Sequence, residues 1–171
     1  MAAHMGVAAA EGAVDDRPLY VREERTMSIL TLCDEVPAKV NPETTIADAI
    51  NLMIASRVGA VAVVDKENKV AGIFTERDVL KKFALSGKNP AKTQVREMMN
   101  TPVMMATVHT TPREALEVMV EKHIRHLPVA DDQARLLGIL SIRNLLQAQV
   151  DELTQELDSL ESSLTNDAAG G

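Results

Sequence analysis

Tryptophan is absent, and aromatic residues make up only 2% of the 171 residues, as one tyrosine and two phenylalanines. Any ligand pocket in this chain is therefore walled by aliphatic side chains, and the aromatic platforms on which single-stranded nucleic acid stacks are missing. The single cysteine, Cys33, excludes an internal disulfide. A lone thiol of this kind packs as a small apolar group more often than it reacts, and it fits a reducing compartment. No run of eighteen apolar residues is present to cross a bilayer. The stretch "GVAAAEGAVDD" (6–16) carries acids where a secretion signal carries lysine or arginine, so a cytoplasmic location without a membrane partner is expected. Base is lacking at the other end, where residues 147–171 hold six acids and no lysine or arginine. That leaves 19 of the 25 acids against all 18 bases in the remainder. A near-neutral body with an acidic tail offers no basic surface for phosphate backbones, so no nucleic-acid partner is expected.

What the chain does have is a repeat. "GIFTERDVL" (72–80) returns sixty-six residues later as "GILSIRNLL" (138–146), and the same offset aligns Ala49 with Ala115, Met53 with Met119, Val63 with Val129 and Asp65 with Asp131. Self-similarity at a fixed period fixes the architecture before any residue-level reading. In the first copy Thr45 stands as helix cap before Ile46, Ala49, Ile50 and Met53, with Asp48 three residues on in a capping-box pattern. In the second, Thr111 caps, Pro112 suits the first helical position, Glu114 closes the box, and Leu116, Met119 and Val120 form the apolar stripe. "GAVAVVD" and "KVAGIF" then read as two strands joined by the polar turn "DKEN", matched by "RHLPVAD" and "RLLGIL". A second helix starts at Thr75 in one copy and at Ser141 in the other, and a short extended segment ("AKV", "ATV") precedes each unit. The expected class is α+β, with each unit running β-α-β-β-α.

The copies end differently. Gly87 is placed as a helix stop in the turn-rich "LSGKNPAKTQ" (85–94). The second copy has no such stop, and Leu146, Val150, Leu153, Leu157, Leu160 and Leu164 follow a 4-3-4-3-4 spacing, a heptad seam. A parallel homodimer along that seam sets Glu156 against Glu161 of its partner, a mild repulsion, so antiparallel pairing, packing on the chain's own body and capture of a basic partner stay open.

Two tandem units of this length resemble a pair of cystathionine-β-synthase (CBS) domains over about residues 28–150. Each has a hydrophobic-Gly-x-x-[Thr/Ser]-x-x-[Asp/Asn] turn after its strand pair, and the second has "IRHLPV" (124–129) entering its strand. The resemblance implies two units related by a pseudo-twofold axis, here with a C-terminal helical heptad extension. The expected layout is a flexible segment 1–27, a first domain 28–88, a second domain 95–150, a heptad helix 147–165 and a disordered end 166–171.

The resemblance also implies a site. In the family the acid of the motif binds ribose, and the hydroxyl residue helps hold ribose or phosphate. Carried onto this chain, Asp78 and Thr75 take those roles in one site, and Asn144 and Ser141 in the other. Ile73 and Ile139 beside the strand glycines are candidate walls for an adenine slot. The pseudo-twofold axis carries Ile124, Arg125 and His126 toward the Asp78 site, and Val58, Gly59 and Ala60 toward the Asn144 site. The chemistry agrees, because a helix N-terminus attracts phosphate and a carboxylate accepts bonds from paired hydroxyls. A hydroxyl bonded to a charged acceptor is worth about 1.5–3 kcal/mol against about 1 for a neutral one, so the Asn144 site is expected to bind ribose roughly tenfold more weakly. Arg125 can neutralise ligand phosphate, and His126 can add charge below about pH 6.5.

The expected function is a non-catalytic regulatory module that binds an adenosyl ligand (AMP, ADP, ATP or S-adenosylmethionine), with no obligatory cofactor, acting through a homodimer or a protein target. The alternative is a purely structural dimerisation module, because Thr75 with Asp78 reads equally well as a capping box worth roughly 1 kcal/mol. No catalytic residues are expected: no nucleophile stands beside a base, and no phosphate-binding GxxxxGK[ST] loop is present. The methionines of "EMMNTPVMM" (97–105) lack accompanying Cys or His and read as core filling, so no metal is expected.

Overall fold

The computed structural model describes residues 28–34 and 37–168, with side chains except at 161 and 163–168. The expected flexible segment 1–27, the side chains of Glu161 and Leu164, and residues 169–171 lie outside the described residues.

The two copies fold alike. The first runs β1 (Lys39–Val40), α1 (Ile46–Ser56), β2 (Ala60–Val64), β3 (Val70–Thr75) and α2 (Glu76–Asp78), which continues as a π-helical turn over Val79–Phe83. The second runs β4 (Ala106–Thr107), α3 (Pro112–Glu121), β5 (His126–Ala130), β6 (Leu136–Ser141) and α4 (Ile142–Ala168). In each sheet a two-residue strand lies parallel to the second strand, which pairs antiparallel with the third.

Local chemistry sets the helix ends. The Thr45 hydroxyl accepts the Asp48 amide at 3.1 Å, and the Asp48 carboxylate accepts that hydroxyl's proton at 2.7 Å. Thr111 and Glu114 complete a reciprocal box ahead of Pro112. Arg57 and His123 close their helices in left-handed backbone (φ 55° and 54°), and Asn68 and Ala134 turn the two hairpins in the same region (φ 63° and 61°). Each pair is sixty-six residues apart, so the repeat extends to backbone conformations that side chains rarely tolerate.

Ile46, Ala49 and Met53 bury the face of α1, as their spacing predicts. On α3 the buried pair is Ala115 and Met119, whereas Val120, expected in the stripe, is exposed because that face of the helix points to solvent. Helix α4 is longer than expected. It runs to Ala168, so residues 166–168 are helical rather than disordered, because nothing before Gly170 breaks the backbone hydrogen-bond pattern.

The repeats join sheet to sheet. Ala62, Val64, Leu136 and Ile139 form a buried cluster between them, and the hairpin turns exchange bonds: Val70 N–H to the Ala134 carbonyl and Leu136 N–H to the Asn68 carbonyl, both 2.9 Å. The lead-in segments lock the arrangement. The 3-10 turn Ile29–Leu32 buries Ile29 and Leu32 in the core of the second copy, while Val95 and Met98 enter the core of the first. Gly138 and Gly72 make this approach possible. A Cβ on Gly138 would lie 2.7 Å from Cys33 Cβ, and one on Gly72 would lie 2.7 Å from Met99 Sδ and 2.9 Å from the Asn100 carbonyl oxygen.

Candidate functional site

A cavity of about 810 Å³ opens where β2 and β5 begin and where β3 and β6 run into their helices. It is lined by Val58, Gly59, Ile73, Thr75 and Asp78 from one copy and by Ile124, Arg125, His126, Ser141 and Asn144 from the other. Ten of the twelve side chains singled out from sequence therefore meet in one space. Ala60 and Ile139 do not line it. Ala60 is buried opposite Thr75 in the sheet, and Ile139 packs in the cluster between the sheets.

Around Asp78 the geometry is closed. Oδ2 accepts the Thr75 amide at 3.0 Å, the Thr75 hydroxyl at 2.7 Å and Asn100 Nδ2 at 2.8 Å, and Oδ1 pairs with Lys82 Nζ at 3.3 Å. The residue is only 5% exposed. A ligand hydroxyl thus meets one carboxylate oxygen, Oδ1, whose other neighbour is a lysine.

The corresponding asparagine is used differently. Asn144 Nδ2 donates to the Leu32 carbonyl at 3.0 Å, and the Asn144 amide is received by Ser141 Oγ at 3.2 Å. Only the amide nitrogen can donate to a carbonyl, which fixes the orientation of this side chain. Asn144 is a tether for the first lead-in segment.

The helix N-termini are also occupied. Glu76 N–H donates to the Gly59 carbonyl and Ile142 N–H to the Arg125 carbonyl, each at 3.0 Å, while the amides of Asp78 and Asn144 go to their caps. Most of the first-turn donors that would draw a phosphate to these helices are therefore spent. Positive charge comes from side chains instead. Arg57, Arg77, Lys81, Lys82, Arg125 and Arg143 line the cavity against Asp34, Glu76 and Asp78. Six full cations facing three acids stand out in a chain of net charge −7.

His126 lines the cavity beside Gly59. A Cβ on Gly59 would lie 3.0 Å from His126 Cε1 and 3.3 Å from Glu76 Oε2, so a larger residue there would push the imidazole or the Glu76 carboxylate by a few tenths of an ångström. Burial, and then the Arg125 charge beside it, hold the His126 pKa below its ordinary value, against the opposing pull of Asp34 and Glu76. The ring therefore gains its charge at a lower pH than the 6.5 expected from sequence. Cys33 is inert: burial, reinforced by Asp34, raises its pKa to about 11, and its thiol donates to the Ile29 carbonyl at 3.4 Å.

Sequence reasoning missed several lining groups. His123, which is not among the candidate residues, lines the cavity, and its carbonyl accepts Arg77 Nη1 at 2.9 Å. Asp34, Asn100 and Lys82 were not singled out. The signal for the first two was available, because the sixty-six-residue offset carried upstream pairs Asp34 with Asn100.

Comparison with known proteins agrees with this architecture. The CBS-domain family profile matches residues 29–85 and 95–151. A protein from Methanopyrus kandleri is 34% identical over 109 residues, covering 64% of this chain and 56% of that protein. The inosine-5'-monophosphate dehydrogenase of Methanocaldococcus jannaschii is 36% identical over 118 residues, covering 67% of this chain but 23% of the enzyme. The chain thus spans about half of the first relative and a quarter of the second. Among solved structures, a CBS-domain containing protein from Agrobacterium tumefaciens superposes with a TM-score of 0.64 at 31% identity, over 72% of this chain and 99% of that one. Two more distant pairs share the fold: one in complex with 5'-methylthioadenosine and S-adenosyl-L-methionine (TM-score 0.67, 21% identity, 74% of this chain and 98% of that one), and CBSX2 in complex with AMP (0.62, 22%, 72% and 96%). With its two β-α-β-β-α units, its shared cavity and the family profile matched twice in tandem, this chain belongs to the CBS-domain family.

Proposed function

We propose that this CBS pair is a non-catalytic regulatory module that binds an adenosyl ligand in the cleft between its repeats, favouring the phosphorylated forms AMP, ADP or ATP over S-adenosylmethionine. The observation that carries this reading is the charge of the cleft, six cations against three acids in an otherwise acidic chain. Such a cavity attracts an anionic ligand and disfavours a sulfonium cation. Val58, Ile73, Val103, Met104 and Ile124 supply aliphatic walls for a base, consistent with a chain that has almost no aromatic rings. The adenosyl ligands of the two more distant structures support the same class. Thr75 and Ser141 use their hydroxyls as helix caps, which argues against either as a nucleophile.

Regulation requires that the ligand bind two states of the module, or of its assembly with a second copy, with different affinity. Exposed apolar residues recur at the repeat offset, Ile54 with Val120 and Leu80 with Leu146, and this supports a symmetric docking face for a second copy. The rival reading, a purely structural dimerisation module, draws on the completeness of the Thr75–Asp78 box.

Isothermal titration with AMP, ADP, ATP, S-adenosylmethionine and a GTP control separates the two. Saturable binding of an adenine nucleotide that weakens as salt rises supports the sensor. A ligand at 100 times its Kd also stabilises by about 2.7 kcal/mol, which raises Tm by roughly 5–10 °C for a chain of this size. Absence of binding and of any Tm shift across the panel rejects the sensor and leaves the structural module.

A further inference from the structure

Sliding the chain by sixty-six residues superposes Asp34 on Asn100 and Asp78 on Asn144. At the matched positions, one on the motif helix and one on a lead-in segment, each half of the cavity carries one carboxylate and one amide. The two types have changed places. In the first half the acid is on the helix (Asp78) and the amide on the lead-in (Asn100), bonded to each other at 2.8 Å. In the second half the amide is on the helix (Asn144) and the acid on the lead-in (Asp34).

The lead-ins occupy matching positions. Asn100 and Ile73 exchange backbone bonds at 2.8 and 3.2 Å, and Asp34 N–H donates to the Ile139 carbonyl at 3.3 Å, Ile139 being the repeat counterpart of Ile73. Asp34 lines the cavity together with Ser141, Arg143 and Asn144. Its state differs from that of Asp78. Asp78 has one oxygen saturated by three donors and the other paired with Lys82. Among the described residues no hydrogen bond and no ion pair reaches the Asp34 carboxylate, and the Asn144 side-chain amide is held on the Leu32 carbonyl. A cavity-lining carboxylate with both oxygens uncommitted is the stronger acceptor for a vicinal pair of hydroxyls, since each oxygen can take one proton in a charge-assisted bond.

We propose that Asp34 is the hydroxyl-binding acid of the second half-site, standing in for the carboxylate that Asn144 lacks, so that the cleft has two competent nucleoside sites rather than a strong and a weak one. This rests on the proposed function, because it assigns a residue to a ligand of that class. It also reverses the roughly tenfold weakness expected from the asparagine alone.

The test is isothermal titration of the full chain with the adenine nucleotide of highest affinity, read for stoichiometry, on wild type, Asp34→Asn, Asp78→Asn and the exchange variant Asp34→Asn/Asn144→Asp. The expected result is two binding events per chain in the wild type. One of them weakens at least tenfold in Asp34→Asn, and the other weakens in Asp78→Asn. Recovery of the lost event in the exchange variant shows that the charge, and not the fold, was missing, and equal Tm values for wild type and Asp34→Asn support the same conclusion. Any stoichiometry and affinity that Asp34→Asn leaves unchanged overturns this inference while the proposed function stands. Failure of the wild type to bind any adenine nucleotide overturns the proposed function, and this inference with it.

Discussion

Arg77 Nη1 donates to the His123 carbonyl at 2.9 Å, so the first-turn arginine of α2 is anchored on the residue that ends α3, forty-six positions away in the other repeat. The carbonyl is free to accept because His123, in left-handed backbone, ends the helix and turns its peptide toward the cavity. The contact ties one motif helix to the strand entry of the opposite copy. Replacing Arg77 by alanine is expected to cost about 1 kcal/mol in urea denaturation, modest because the bond is exposed, and to weaken nucleotide binding several-fold through the lost cation.

Asp78 is expected to matter to the fold as well as to ligand binding. Its Oδ2 takes three hydrogen bonds and its Oδ1 balances Lys82 within a nearly buried site. Asp78→Asn keeps one acceptor oxygen for the Thr75 and Asn100 donors but turns its amide N–H toward the Lys82 ammonium and removes that cation's counter-charge, so a loss of about 1–3 kcal/mol is expected in chemical denaturation. Asn144→Ala removes a single tether to Leu32 and should cost less, about 1 kcal/mol.

Gly138→Ala is a test of the lead-in docking. The added methyl would lie 2.7 Å from Cys33 Cβ, close to backbone that cannot swing away, and overpacking of this kind costs about 1–3 kcal/mol. The segment 29–34 should loosen, exposing a thiol that burial keeps protonated in the wild type. Faster reaction of Cys33 with a disulfide reagent at pH 8, relative to wild type, is the expected readout. An unchanged rate would show that the segment shifts without leaving its groove.

His126 predicts a pH dependence with a definite sign. Because its pKa is lowered in the folded state, the unfolded chain binds the proton more readily, and stability is fully present above the ordinary histidine value near 6.5. Stability should fall as pH drops below about 6.5 toward the lowered folded value. Tm measured from pH 8 to pH 5 should decline less steeply in His126→Gln than in wild type.

The apolar stripe of α4 makes a further prediction. Val150, Leu153, Leu157 and Leu160 are 57–62% exposed, so they contribute little to their own domain. Leu153→Ser with Leu157→Ser should leave the stability of the monomer within about 0.5 kcal/mol. Sedimentation of the same variant and of the wild type reports whether the stripe pairs chains: a shift toward monomer in the variant supports pairing between chains, and an unchanged distribution rejects it.

The sequence by itself determined the period, the class and the local stops. Thr45, Thr111 and Pro112 announce their helices because capping is a contact between residues three apart, and the strand pairs announce themselves because a β-rich run closed by a polar turn is a local signal. Ten of the twelve candidate residues line the cavity: the motif residues are marked by the strand–helix turns that the repeat writes twice, and those entering β2 and β5 follow from the family resemblance. Only the tertiary structure decided where the lead-in segments go, and with them the character of the site. Asn144 meets Leu32 across 112 residues, and Ile29 and Leu32 complete the core of the copy they do not precede. No periodicity encodes such contacts, because they depend on two sheets packing face to face and on two glycines leaving room for a crossing strand. That packing saturates the Asp78 carboxylate, leaves Asp34 open to the cleft and lowers the pKa of His126, and none of these follows from residue type alone.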